Sequence, residues 1–167
     1  SDLQEFKDEF AWAAAELYLL TEEAQYLTAF NANVTPGVGT PWWAGVEPFA
    51  YISLAEHGKD LLSDAAYEEV TAAIVELADS LVVKLEASAY KVPMTIGDFG
   101  WGSNSGALNQ GMMVYQAYRI TNDAQYLAVA ESVLDYIFGR NATEYSFVTG
   151  FGSKSPMAPH HRPSAAD

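Results

Sequence analysis

Two histidines and an arginine stand together near the end of the chain, as His160, His161 and Arg162. They follow Pro159 in a segment without helical or strand periodicity, and such loops hold functional groups more often than packing groups. Imidazole and guanidinium groups carry several hydrogen-bond donors in fixed planes, which suits the binding of sugar hydroxyls. The residue types alone also fit a surface loop in which the histidines have no function.

Two tryptophans are the next candidates, because Trp43 and Trp101 lie beside or within segments rich in Gly, Pro and Asn that must be loops. A flat indole makes a natural platform for the apolar C–H face of a sugar ring. The alternative is that each indole packs under its own loop. Of the remaining tryptophans, Trp12 and Trp42 are assigned to packing.

The adjacent acids Asp8 and Glu9 form a third candidate site, at the start of a predicted helix. Neighbouring carboxylates suit a hard cation such as calcium. They equally suit the positive end of the helix dipole. The chain has no cysteine, so disulfides and thiolate metal ligands are excluded.

The chain is strongly acidic, with a formal net charge of -14 from 22 acidic and 8 basic residues. Nucleic acid would be repelled, and so would an anionic membrane surface. No apolar run approaches the roughly 20 residues that cross a membrane. Half of the 167 residues are hydrophobic, which indicates a globular chain, and a neutral partner such as a polysaccharide suits its charge.

The spacing of apolar residues is helical for most of the chain and predicts six helices. The first reads as a well-buried helix, because its centre is rich in alanine. Gly58 is predicted to stop the third helix and Ser63 to cap the fourth. The six predicted helices cover about residues 6–20, 21–30, 43–57, 63–86, 105–120 and 123–138.

An internal repeat organises these helices, because residues 21–27 (TEEAQYL) return as residues 121–127 (TNDAQYL), with a weaker copy at Ser63. Each copy is predicted to cap the start of a helix and to place a tyrosine in its second turn. The helices then pair as three hairpins, with short connections on one side and long ones on the other. Stacked hairpins indicate an α/α toroid, whose full ring has six hairpins. A self-contained six-helix bundle is the alternative.

Four segments of the chain match motifs of one known family and stand in that family's order. Residues 146–162 read Ser-x-Val-Thr-x-x-Gly-x-Lys, then four residues, then Pro-His-x-Arg. Residues 8–17 (DEFAWAAAEL) match an Asp-Glu-x-x-Trp-Ala-Ala helix, and residues 101–104 (WGSN) and 136–141 (YIFGRN) also have counterparts. The chain thus resembles glycoside hydrolase family 9, the family of many cellulases, over nearly its whole length.

The resemblance implies an all-α fold, the α/α toroid or six-hairpin barrel, of which this chain supplies about three hairpins and an irregular active-site loop. Residues 1–167 would be part of a catalytic domain, truncated at both ends. The implied activity is hydrolysis of internal β-1,4-glucosidic bonds in cellulose or related β-glucans, by an inverting mechanism that uses two carboxyl groups. Because the resemblance places both carboxyl groups outside this chain, the isolated chain is expected to be inactive. Because its open faces would meet water, the lone chain is expected to be insoluble, to self-associate, or to be folded only beside the rest of its own domain.

The resemblance also implies roles for the candidate residues. His160 would be an active-site residue in the substrate cleft, although neither the proton donor nor the base. Arg162, Trp43 and Trp101 would bind the sugar.

Asp8 and Glu9 match a pair that binds a structural calcium in some family members. However, Ala44 and Gly45 stand where a third acid often follows. No cofactor is required by the implied reaction.

The partners implied by the resemblance are a β-glucan polysaccharide or oligosaccharide and the remaining parts of the chain's own catalytic domain, with no nucleic acid and no membrane. The implied location is extracellular, as a secreted enzyme. Two other functions stay open. One is a relative that acts from chain ends or on glucosamine or chito-oligosaccharides, and the other is a non-catalytic carbohydrate-binding fragment.

Overall fold

The computed structural model describes residues 5–158 and is all-helical over that range. Six α-helices alternate with two short and three longer connections, and a single 3-10 turn, Ile96–Asp98, lies in the fourth connection. The bounds agree with the predicted helices to within a few residues at each end. The helices are α1 Lys7–Thr21, α2 Ala24–Asn33, α3 Glu47–His57, α4 Asp64–Ala87, α5 Ser103–Thr121 and α6 Ala124–Ile137.

The threonine of the repeated motif ends one helix, which corrects the prediction that it caps the next. In the second copy Asp123 caps α6, and its carboxylate accepts from Gln125 N at 2.8 Å. Thr21 and Thr121 are each the last residue of a helix, and each hydroxyl donates to the carbonyl four residues earlier at 2.8 Å. The following residues, Glu22 and Asn122, have φ of 61° and 58°, and this left-handed conformation reverses the chain. The motif's tyrosine therefore falls in the first turn of the next helix.

The middle copy of the motif behaves as predicted. Ser63 caps α4, and its hydroxyl oxygen accepts a hydrogen bond from Ala66 N at 3.3 Å. Gly58 ends α3, with its amide donating to Leu54 O at 2.8 Å. Its φ of -89° is an ordinary one, so the chain continues through a looser link to Ser63.

The helices pack as three antiparallel hairpins, α1/α2, α3/α4 and α5/α6, joined by contacts of α1 with α3 and of α4 with α5. The main core runs through all three hairpins and includes the fully buried Leu54, Ile74 and Met113. A second cluster, with Val92 and Val133 at its centre, joins the last hairpin to the segment that follows it. The predicted hairpin pairing is confirmed.

The connections divide the molecule into two ends. The turn end consists of residues 22–23, 58–63 and 122–123. The loop end consists of residues 34–46 and 88–102 and the segment 138–158, which follows α6.

The first helix is not as well buried as its sequence predicted. One face carries buried Ala11, Ala15 and Tyr18, while the opposite face leaves Phe10 and Leu20 exposed. Apolar residues on α5 and α6 likewise border an open groove of about 370 Å³. Both faces leave apolar side chains open to solvent. Over the described part of the chain, no helix is both long and apolar enough to cross a membrane.

Candidate functional site

Trp42 and Trp43 lie in a tight turn within the first long connection. Trp42 N donates to Gly45 O at 3.0 Å, and Gly45 N donates to Trp42 O at 3.1 Å. A Cβ on Gly45 would stand 2.2 Å from Trp42 Nε1, so the Trp42 indole lies directly against this glycine. The two indoles meet edge to face, with centroids 5.5 Å apart and planes at 80°. The turn therefore presents two rings at nearly a right angle.

Trp101 lies in the second long connection, two residues before α5. The preceding 3-10 turn is closed by Asp98, whose carboxylate accepts from Thr95 N at 2.7 Å and from Thr95 Oγ1 at 2.9 Å. Gly102, with φ of 77°, then turns the chain into α5. Trp101 itself is 98% exposed. A locally fixed turn thus projects a bare indole into solvent.

One groove of about 410 Å³ at the loop end brings these aromatic residues together. It is lined by Trp42, Trp43, Trp101, Asp98 and Asn109, among others. Trp43 is 71% exposed and Trp42 is 56% exposed. The assignment of Trp42 to packing is therefore corrected, because more than half of this side chain is open and faces the same groove as its neighbour.

Residues from two distant helices hold the Trp42–Gly45 turn from either side. Asn109 Nδ2, on α5, donates to Pro41 O at 2.8 Å. Asp8 Oδ2, on α1, accepts from Val46 N at 2.9 Å. The aromatic turn is thus fixed at its first and last flanking residues by side chains of separate hairpins.

The acid pair Asp8 and Glu9 occupies the first turn of α1. Partial burial opposes the ionisation of Asp8. Hydrogen bonds from the Glu9 carboxyl and from backbone amides, including that of Val46, outweigh this and hold the pKa of Asp8 below its ordinary value. The hydrogen bond to Asp8 in turn raises the pKa of Glu9. The two carboxyl groups thus form a close pair whose pKa values move in opposite directions.

His160 and Arg162 lie outside the described residues, as does His161. The segment 138–158, which precedes them, is organised by Asn141. This buried side chain donates to two backbone carbonyls at 2.8 Å each, and its Oδ1 accepts from the Thr143 amide and hydroxyl. Asn141 is thus a structural residue of this segment.

Three residues that line the groove, namely Asp98, Trp42 and Asn109, were not identified from the sequence. Asp98 had a readable signal, because Thr95 and Asp98 have the spacing of a capping box. An indole beside a loop can stack on a sugar ring, and this applied to Trp42 as much as to Trp43. Asn109 had no signal, since its contact with Pro41 joins residues 68 positions apart.

The fold defines the class of protein. The described residues form six helices stacked as hairpins, and solved structures that match them are α/α barrels. The sequence model of Glycosyl hydrolase family 9 matches residues 1–167. The chain belongs to this family.

Individual relatives agree with this assignment. The chain is 33% identical to the xyloglucan-specific endo-beta-1,4-glucanase BoGH9A of Bacteroides ovatus, over 96% of this chain and 28% of that protein. It is 34% identical to endoglucanase C of Cellulomonas fimi, over 93% of this chain and 14% of that protein. A solved structure of a Bacteroides ovatus GH9 protein superposes with a TM-score of 0.89 at 32% identity, covering 98% of this chain and 31% of the other. The chain thus spans less than a third of the length of each of these proteins.

Proposed function

We propose that this chain forms one part of the catalytic domain of a secreted β-1,4-glucan hydrolase and that its aromatic groove is a wall of the substrate cleft. The observation that carries the proposal is the convergence of exposed Trp43 and Trp101 on one groove. The indoles would stack on the C–H faces of successive sugar rings. The substrate would be cellulose or a related β-glucan, and the remaining hairpins of the barrel would be the chain's partners.

The hydrolytic step would use two carboxyl groups roughly 6.5–9.5 Å apart, one protonating the leaving oxygen and the other activating water. The family resemblance assigns both to segments outside this chain. Of the described acids, Asp98 lines the groove, but its carboxylate already accepts two hydrogen bonds from Thr95. We therefore assign the groove a binding role.

His160 and Arg162 are proposed to hydrogen-bond the sugar at the point of cleavage. A hydrogen bond from a charged group is worth about 1.5–3 kcal/mol. In the complete domain, Arg162→Ala should therefore lower kcat/KM at least tens-fold, and His160→Ala should lower it in the same direction. The melting temperature should stay nearly unchanged. A large fall in stability with unaltered kinetics would assign these residues to structure.

Asp8 and Glu9 are proposed ligands of a structural calcium. Two features support them, namely the adjacency of the two carboxyl groups in the first turn of α1 and Glu9 Oε2, which is buried without a hydrogen-bond partner among the described residues. Calcium takes six to eight oxygen ligands, yet residues 5–158 contain no group of three or more His, Asp or Glu arranged around one point. Backbone carbonyls and water would have to complete the coordination.

The calcium proposal is tested on the complete domain by thermal unfolding with calcium and with a chelator. Bound calcium stabilises the folded state by mass action, so the melting temperature should rise with calcium concentration. Glu9→Gln should abolish most of that rise. Glu5→Gln removes an acid from an exposed position just before α1 and should leave it intact. An equal response in both variants would place the calcium elsewhere.

The proposed binding function is tested by Trp101→Ala in the complete domain, with Ile96→Ala as the matched control. Ile96 is 95% exposed in the same connection but does not line the groove. An aromatic contact is worth about 0.5–1.5 kcal/mol, so Trp101→Ala should raise the dissociation constant for cello-oligosaccharides about 2- to 12-fold. Ile96→Ala should leave it unchanged. Equal effects in calorimetric titrations would remove the groove from the binding site.

The isolated 167-residue chain is expected to have no activity on carboxymethylcellulose. General acid and general base catalysis each contribute about 10²–10⁴-fold, and both groups are assigned outside the chain. Turnover by the purified chain, measured as release of reducing ends, would show that a carboxyl pair lies within it.

A further inference from the structure

The first long connection is fixed in space by contacts that its own sequence does not supply. Pro41 is buried, and its carbonyl accepts the hydrogen bond from Asn109 Nδ2. Because the peptide unit is planar, holding the Pro41 carbonyl also fixes the orientation of the Trp42 amide. Trp42, the next residue, is tied to Gly45 by two backbone hydrogen bonds. The turn therefore moves as one unit with the carbonyl that Asn109 holds.

The orientation of the groove's rings follows from this anchor. Trp43 meets Trp42 edge to face, and Trp42 lies against Gly45 without room for a Cβ. Neither indole has a hydrogen bond from its ring nitrogen to another described residue that would fix it independently. The position of both rings in the groove therefore depends on the position of the backbone turn.

Asn109 lines the groove, but its side-chain amide nitrogen donates to the backbone of the protein. It lines the same groove as the tryptophans, on a rigid helix whose first turn begins beside Trp101. Its side chain thus links the two long connections, because α5 continues directly from the connection that carries Trp101. This linkage sets the distance between the two aromatic surfaces, and a preorganised site binds with a smaller entropic cost.

We propose that Asn109 is a positioning residue for substrate binding, which holds the Trp42–Gly45 turn at the groove so that Trp43 and Trp101 contact one glucan chain together. The inference rests on the proposed binding function of the groove. It assigns Asn109 no contact with the reacting atoms. Its effect on binding passes through Trp43.

The test is a double-mutant cycle in the complete domain, with dissociation constants for cello-oligosaccharides measured by calorimetric titration. Asn109→Asp keeps the shape of the side chain, removes the donor and places a carboxylate oxygen against Pro41 O. Asn109→Ser is a neutral second variant, too short to reach that carbonyl. Gln125→Glu makes the same change from amide to carboxylate at an exposed position on α6, away from the groove.

Each Asn109 variant should raise the dissociation constant about three- to tenfold, as expected for one lost hydrogen bond, while Gln125→Glu leaves it unchanged. Trp43→Ala should weaken binding on its own, and adding Asn109→Asp to it should cause less than a twofold further loss, since the two act through one surface. For longer substrates, KM should rise with kcat nearly constant.

Two results would overturn the inference while leaving the groove as a binding site. One is a normal dissociation constant in both Asn109 variants when Trp43→Ala weakens binding. The other is full additivity of the Asn109→Asp and Trp43→Ala losses. A null effect of Trp43→Ala together with Trp101→Ala would instead refute the proposed binding function itself.

Discussion

At the turn end, tyrosine hydroxyls bond to backbone carbonyls, whereas at the loop end the indoles of three tryptophans are open to solvent. Tyr18 OH donates to Leu61 O at 2.7 Å, and Tyr67 OH donates to Ala55 O at 3.0 Å. Trp101, at the other end, is almost fully exposed. These two tyrosines thus complete the fold at one end, whereas the three tryptophans leave their faces free at the other.

The difference separates an aromatic residue that packs from those to which a binding role is proposed. Tyr18 has its hydroxyl bonded within the protein and its ring buried. Trp43 has an exposed ring on backbone that Asn109 and Asp8 hold, and this is the residue to which a binding role is proposed above. A fixed, exposed indole is therefore what the proposed binding function predicts.

The largest expected effect is a difference in the free energy of unfolding. It compares a substitution in the core near the turn end with one on the aromatic surface of the loop end. Leu54→Ala removes a fully buried side chain and should lower the free energy of unfolding of the complete domain by about 2–5 kcal/mol. Trp101→Ala removes an exposed ring and should change it by less than about 0.5 kcal/mol. Denaturant titration of both variants measures the contrast, and comparable losses would mean that Trp101 packs on another part of the domain.

A smaller effect on stability is expected within the loop end, where Asn141 has a structural role. Asn141→Asp removes two donors to backbone carbonyls and should cost about 1–3 kcal/mol. Asn33→Asp loses a single bond, to Ala29 O, and should cost less. Both asparagines begin Asn-x-Thr triplets. The same unfolding titration tests the order, and a reversed order would contradict the structural role of Asn141.

The two turns of the internal repeat should differ by about 1 kcal/mol or less. Glu22 and Asn122 share a left-handed backbone, which costs most residues about 1–2 kcal/mol and asparagine less. Glu22→Gly should therefore raise the melting temperature, and Asn122→Gly should raise it by a smaller amount. A stabilisation that is equal in the two turns would show that residue type does not matter there.

The last effect is confined to high pH. Burial, together with the hydrogen bond to Asp79, raises the pKa of Tyr126 to about 12. Between pH 10 and 12 the unfolded chain therefore loses this proton first, and the folded state becomes less stable as pH rises. Tyr126→Phe should make that decline shallower and have no pH-dependent effect below pH 9. An unchanged slope in pH-dependent unfolding would mean that Tyr126 is open to water at the turn end.

Much of the fold was predictable because it depends on local signals. Six helices, their approximate bounds and their pairing follow from apolar spacing, from Gly58 and from Ser63. The role of Thr21 was not predictable in the same way, since a threonine between two helices can cap the second or end the first. The left-handed conformation of Glu22 decides between the two, and glutamate gives no hint of it.

The candidate site likewise has features that follow from local sequence and features that do not. By itself, the sequence determined the family, the motif that contains His160 and Arg162, and the presence of Trp43 and Trp101 near long loops. Only the tertiary structure placed both tryptophans in one groove, added Trp42 to it and joined Asn109 to Pro41. The physical reason is sequence separation, because a hydrogen bond across 68 residues depends on how three hairpins stack, and no local pattern encodes that arrangement.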